Sequence, residues 1–319
     1  MLALLFPGQA SQEVGMGRDV FEASPAARAT FEAADEALGM SLSKLCFEGP
    51  EEALRPTEVQ QPAILATSIA LLRALEEQAG TIQAGFVGGH SLGEYSALVA
   101  AGALDFADAV RTVRLRGRLM QDAVADGAGA MAAIIGLDAE AVATACREAA
   151  EATGGVVAPA NFNGPSQIVV AGGAEAVEVA CERASASGAK KAIPLAVSAP
   201  FHCSLMQPAA DQLAPELEGL AWREARPPVV TNVEARPNAD ASRIPDLLRQ
   251  QVTAPVRFTD MIATMKEAGV DRFLEVGPGR VLSGLIARID RRARRANFAS
   301  LADLDDVKTL LATDGKSAN

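Results

Sequence analysis

Gly89-His90-Ser91-Leu92-Gly93 sets a serine between two glycines, directly after a short apolar stretch at 85–87 and directly before a helix-forming run through Ser96 and Ala101. A serine at that spacing, between a strand and a helix, fits a nucleophile elbow. The glycines permit a tight turn, the hydroxyl is exposed at the helix N-terminus, and the Leu92 N–H is left over to bind an oxyanion. The plainer reading is a glycine-rich turn whose serine only caps the helix, but motif and context together favour a nucleophile. Such a hydroxyl needs a base, and the chain has two histidines, His90 and His202. Neighbouring residues on a tight turn point apart, which makes His90 a poor base for Ser91. His202, within Ser198-Ala199-Pro200-Phe201-His202-Cys203, is the candidate by elimination.

A third residue of interest lies in the helix-like stretch 107–123. At roughly 100° per residue, Arg111, Arg114 and Arg118 fall within about 60° of one another. Arg116 lies on the opposite arc with Ala109, Val113, Leu119, Met120 and Ala123, and so points into the protein. A guanidinium there is costly unless paired. It either makes a buried salt bridge or waits for an anionic ligand, and helical phase alone leaves both readings open.

These residues need a scaffold, and the hydrophobic pattern supplies one. Apolar Leu2–Phe6, a helix over 62–78, the strand at 85–87 and a helix from Leu92 alternate in the manner of an α/β fold with a mostly parallel sheet and helices on both faces. Between 127 and 198 the order changes to strand 131–135, helix 139–150, strands 156–161 and 167–171, helix 174–187 and strand 190–195, a ferredoxin-like βαββαβ unit. Strand 229–232, helices near 245–251 and 259–268 and strand Arg272–Val276 then resume the first pattern. The expectation is a discontinuous hydrolase-like α/β domain over 1–126 and 199–319 with a small ferredoxin-like domain over 127–198 inserted into it. The cleft between the two is the expected ligand pocket.

Composition narrows the function classes. With 49% hydrophobic and 22% charged residues the chain can bury a sizeable core. A net charge of −11 without a polybasic run argues against nucleic acid. No segment approaches the roughly 20 apolar residues of a membrane span, so a cytoplasmic location is expected. Cys46, Cys146, Cys181 and Cys203 are widely separated, without the paired spacing of zinc sites or redox dithiols. Free thiols and no metal are expected.

Several blocks together carry a resemblance to a known family. Phe6-Pro7-Gly8-Gln9-Ala10-Ser11-Gln12, the serine segment through Glu94-Tyr95-Ser96, Arg116-Gly117-Arg118-Leu119-Met120, Asn161-Phe162-Asn163, Pro200-Phe201-His202-Cys203 and Glu275-Val276-Gly277-Pro278-Gly279 occur in this order. They resemble the malonyl-CoA:acyl-carrier-protein transacylases of bacterial type II fatty-acid synthesis. The resemblance implies Ser91 as nucleophile, His202 as general base and acid, and Arg116 as holder of the malonyl carboxylate. It implies the backbone N–H groups of Gln9 and Leu92 as oxyanion hole, and the main-chain carbonyl of Gln251, with Gln250 as its alternative, as the group that orients the histidine. Asn161, Asn163 and Phe201 are implied as pocket residues, Phe201 crowding the branch of methylmalonyl. One departure is Ala10, where the family usually has glycine. The implied partners are malonyl-CoA and acyl carrier protein, with the chain a monomer and no external cofactor. Arg111, Arg114, Arg118, Lys190 and Lys191 are candidates for receiving an acidic carrier.

Two rival functions share these residues. A serine esterase or thioesterase uses the same elbow and histidine, although such enzymes usually bring their histidine near the chain end, whereas more than a third of this chain follows His202. No triad acid is evident, though Asp105, Asp108, Asp122 and Asp126 remain open by sequence order. A catalytically silent carrier-binding scaffold is the second rival, and the joint presence of Ser91, Arg116 and His202 argues against it.

Overall fold

Leu2–Phe6 forms strand β1, buried on both sides: Leu2, Leu4 and Phe6 join one hydrophobic cluster while Ala3 and Leu5 join another. That division follows from the two-residue period of a strand. A strand covered on both faces reads as a continuous apolar run, as buried parallel strands do. The computed structural model describes residues 1–197 and 199–312 of this chain.

Nine further strands follow among the described residues: β2 (Phe86–Gly89), β3 (Gly129–Ile135), β4 (Val157–Gly164), β5 (Gln167–Gly173), β6 (Lys191–Pro194), β7 (Val229–Val230), β8 (Pro237–Asn238), β9 (Arg272–Val276) and β10 (Arg294–Phe298). The large sheet has the order β10-β9-β1-β2-β7-β8 and is parallel except for the β7–β8 pair at its edge. The helices Phe258–Glu267 and Val281–Ile289 cover one face and Thr57–Ala79 the other. Thr57–Ala79 is buried almost all round, which is why its hydrophobic periodicity is weak.

The remaining strands build a second sheet, β4-β5-β3-β6, antiparallel throughout, with helices Ala139–Thr153 and Ala174–Ala186 on one face. This is the ferredoxin-like order expected for a βαββαβ unit. Ala132 and Ile134 of β3 face those helices, while Met131 of β3 and Val169 of β5 face the other way and line the cleft between the sheets. Ser198, the expected last residue of the small unit, lies outside the described residues.

Some boundaries differ from the sequence expectation. The helix read from Pro62 begins at Thr57, so Pro62 sits inside it and Pro56 at its boundary. The strand expected over 229–232 pairs only through Val230, because Asn232 leaves the ladder to bond within the site. Residues 18–48, left unassigned by the pattern, fold into three short helices, Arg18–Ala23, Pro25–Leu38 and Leu42–Glu48. No helix among the described residues is long and apolar enough to cross a membrane.

Candidate active site

β2 ends at Gly89, and the helix Gly93–Ala100 begins four residues later. A side chain at Gly89 would strike the Gly93 backbone, and one at Gly93 would strike the Phe6 carbonyl, so neither glycine can be replaced. Ser91 between them has φ 51°, in the left-handed region that side chains other than glycine avoid. The Asn232 side-chain amide braces the turn. Asn232 accepts from the Ser91 N–H through Oδ1 at 2.7 Å and donates from Nδ2 to the Gly89 carbonyl at 2.7 Å.

His202 also has a positive φ, 62°. Its Nε2 lies 2.7 Å from Ser91 Oγ and its Nδ1 2.9 Å from the Gln251 carbonyl. A carbonyl only accepts, so Nδ1 carries the proton and Nε2 is free to take one from the serine. Burial, with the Arg116 charge second, pushes His202 down to about 3, which keeps the imidazole neutral near pH 7, with Nε2 unprotonated. Gln250 plays no part here: its side chain donates to Asp246 at 2.5 Å on the exposed side of the helix Ile244–Thr253. Asp105 caps the helix Phe106–Asp122 and Asp108 pairs with Arg111, so both are engaged elsewhere.

Arg116 is fully buried. Its Nη1 donates to Gln61 Oε1 at 2.7 Å, and its Nη2 to Gln251 Oε1 at 2.9 Å and to Ser91 Oγ at 3.1 Å. All three partners are neutral, and its Nε–H has no partner. Among the described residues no carboxylate comes within ion-pairing distance. A desolvated cation with that coordination can receive an anionic ligand.

The oxyanion candidates are accounted for by what they lack. Among the described residues the main-chain N–H groups of Gln9 and Leu92 donate to no protein atom, whereas the Ser91 N–H is taken by Asn232. The Gln9 side chain donates to Gln60 at 2.6 Å and Ser11 Oγ to the Gly8 carbonyl at 2.7 Å, which braces the loop. Ala10 has φ 71°, the conformation a glycine would hold without strain. Ala10→Gly is therefore expected to stabilise the chain by about 0.5–1 kcal/mol after the larger unfolded-state entropy of glycine is deducted. Urea denaturation of the two proteins checks this.

Gln9, Ser91, Asn161, Asn163, Phe201 and His202 line a cleft of about 1090 Å³ that also takes in Met131 and Val169 of the small sheet. Asn163 bonds His90 Nε2 at 2.8 Å, which turns that histidine to a partner other than Ser91. Asn161 sits where β4 bridges to Val256, tying the small sheet to the segment after the helix Ile244–Thr253. Arg111, Arg114, Arg118, Lys190 and Lys191 do not line the cleft; among the described residues the one Lys or Arg in its lining is Arg55, paired with Glu51. Among the described residues no three His, Cys, Asp or Glu side chains gather as a metal would require.

Three residues of this site were not assigned from the sequence: Gln61, Glu94 and Asn232. Glu94 left a signal, as the one charged residue of the helix Gly93–Ala100. Gln61 and Asn232 are polar residues that no spacing distinguishes from any other.

The profile of the acyl transferase domain family matches residues 3–303. A malonyl CoA-acyl carrier protein transacylase of Escherichia coli K12 is 51% identical over 287 residues, covering 90% of this chain and 92% of its own. The chain belongs to the malonyl-CoA:acyl-carrier-protein transacylase family. An acyl carrier protein S-malonyltransferase of Vibrio cholerae superposes with a TM-score of 0.93 at 47% identity, covering 96% of this chain and 99% of that one. A malonyl-transacylase solved in complex with a type II PKS acyl-carrier protein superposes with a TM-score of 0.92 at 48% identity, covering 97% and 98%. Membership of this transacylase family accounts for the parallel sheet and the inserted antiparallel one, since both occur within the span of the match.

Proposed function

We propose that the chain transfers malonyl from coenzyme A to the phosphopantetheine thiol of acyl carrier protein through an ester on Ser91, supplying fatty-acid elongation. The observation that carries this reading is Arg116 Nη2 at 3.1 Å from Ser91 Oγ: a buried cation with neutral partners beside a serine that a neutral histidine can activate. Malonyl thioesters carry a free carboxylate at one end and an electrophilic carbonyl at the other, and the two groups of the site match the two ends.

Ser91 passes its proton to His202 Nε2 as Oγ bonds to the thioester carbon. The negative charge on the carbonyl oxygen is taken by the N–H groups of Gln9 and Leu92. Collapse breaks the carbon–sulfur bond, and the His202 proton goes to the departing coenzyme A thiol. The carrier thiol then enters, gives its proton to His202 and takes the malonyl group by the same steps in reverse. The Gln251 carbonyl keeps the imidazole oriented, in the role a carboxylate fills in a triad. Arg116 grips the malonyl carboxylate with two parallel N–H bonds. Phe201, buried at the cleft wall, crowds a methyl branch, and Asn161 and Asn163 shape the same wall.

The proposal extends to a cytoplasmic monomer that needs no external cofactor, organised as a catalytic domain over 1–126 and 199–319 and an inserted domain over 127–198. Both thioesters are substrates. Intact-mass spectrometry after brief exposure to malonyl-CoA, followed by addition of holo carrier protein, tests the reading. The expected result is a malonyl adduct on the chain that is then discharged onto the carrier. Hydrolysis of malonyl-CoA without carrier transfer would support the esterase instead, and absence of any adduct would support a silent scaffold.

A further inference from the structure

We infer that Glu94 is a positioning residue that sets acyl-group selectivity by fixing the side-chain amide of Gln251, and through it the guanidinium of Arg116. The two ends of a glutamine amide have nearly the same shape and opposite hydrogen-bonding character. Whichever end faces Arg116 decides whether that contact is a charge-assisted bond or a donor pressed against a cation.

Both donors of the Gln251 amide are committed. Nε2 donates to Glu94 Oε2 at 2.7 Å and to the Ser91 carbonyl at 3.1 Å. The amide oxygen is thereby turned to Arg116 Nη2 at 2.9 Å. Glu94 is itself held, because Oε2 also accepts the Asn232 N–H at 3.0 Å, from the same residue whose side chain braces the Ser91 turn. The carboxylate is 2% exposed, in a helix otherwise free of charge. A group so expensive to bury is tied at once to the nucleophile turn and, through Gln251, to the Arg116 fork. Burial pushes Glu94 up to about 7, against the bonds from Gln251 and Asn232 and the charge of Arg116.

Without Glu94 the Gln251 amide can turn over, and Arg116 loses the acceptor that aims its fork. A malonyl group, gripped through its carboxylate, suffers from this more than an acetyl group, which has none. The role rests on the malonyl transfer proposed above. Wild-type labelling by malonyl-CoA tests that transfer alone, and variant-to-wild-type ratios test Glu94.

The experiment measures kcat/KM for Ser91 acylation by malonyl-CoA and acetyl-CoA in wild type, Glu94→Ala, Glu94→Gln, Gln251→Leu and the double variant of Glu94→Ala with Gln251→Leu. The malonyl-to-acetyl ratio is expected to fall about tenfold or more in Glu94→Ala and in Gln251→Leu, with no further fall in the double variant. Glu94→Gln, which keeps an oxygen for both donors, is expected to restore the ratio to within about threefold of wild type. An equal loss for both acyl groups would reduce Glu94 to a structural role and overturn the inference. So would an unchanged ratio, or additive effects of the two single changes. Should Glu94→Ala fail to fold, Gln251→Leu retains the main-chain carbonyl for His202, and an unchanged ratio in it overturns the inference by itself.

Discussion

Ser91→Ala is expected to eliminate the covalent adduct with malonyl-CoA, and His202→Ala to slow its formation by about 10²–10⁴-fold while the fold is retained. Both side chains are almost completely buried, so circular dichroism and a melting curve must accompany the kinetics. The same pair makes a pH prediction. His202 is held down to about 3 by burial and by Arg116. Protonation, which would disable it as a base, sets in only as pH falls towards that value. No loss of acylation attributable to His202 is therefore expected between pH 8 and pH 5. Glu94, at about 7, is the group whose protonation falls inside that range, so the profile is best taken in wild type and in Glu94→Gln. A loss centred on the ordinary histidine value of 6.5 and present in both proteins would contradict the geometry.

Arg116→Ala is the second large effect. Two charge-assisted bonds to the malonyl carboxylate, at about 1.5–3 kcal/mol each, correspond to roughly 10²–10⁴ in kcat/KM for malonyl-CoA. Acetyl-CoA makes neither bond, so its transfer should fall far less or rise, as a desolvated cation beside Ser91 is removed. The measurement is the malonyl-to-acetyl ratio in wild type and variant. An unchanged ratio would mean that Arg116 serves only the packing of the helix Phe106–Asp122. Phe201→Ser, assayed alongside with methylmalonyl-CoA, should widen the range of accepted acyl groups without touching the acetyl comparison.

The parts legible from sequence are those governed by local rules. The turn at Gly89–Gly93 announced itself because only glycine fits against the Gly93 backbone and the Phe6 carbonyl. Arg116 stood out because a charge on an apolar helical arc breaks the pattern around it. The βαββαβ unit was readable because its strands and helices are short, regular and separated by turn residues. What escaped was of another kind. The role of Asn232 depends on a strand stopping early so that its amide meets a turn 141 residues away in the chain. Gln61 lies in the helix Thr57–Ala79, which is buried on nearly every side and so gives no amphipathic contrast to show which face meets the site. The ambiguity between Gln250 and Gln251 was one of helical phase. It becomes visible once one of them is fully buried against His202 while the other reaches Asp246.

The place of β1 has a consequence for how the protein is made. Leu2–Phe6 leaves the ribosome well before its partners, yet in the finished sheet it lies between β2 and β9, paired on one side with Phe86–Gly89 and on the other with Arg272–Glu275. Its second neighbour is therefore synthesised some 266 residues after it. At about 5–20 residues per second, the nascent chain carries this apolar ribbon with an unsatisfied edge for roughly 15 to 50 seconds. An open, uncharged strand edge is the kind of surface that recruits other chains. Truncation before Arg272 would make that exposure permanent, so C-terminally shortened forms of this enzyme should accumulate as aggregates or chaperone-bound species, even though Ser91, Arg116 and His202 all lie upstream of the cut.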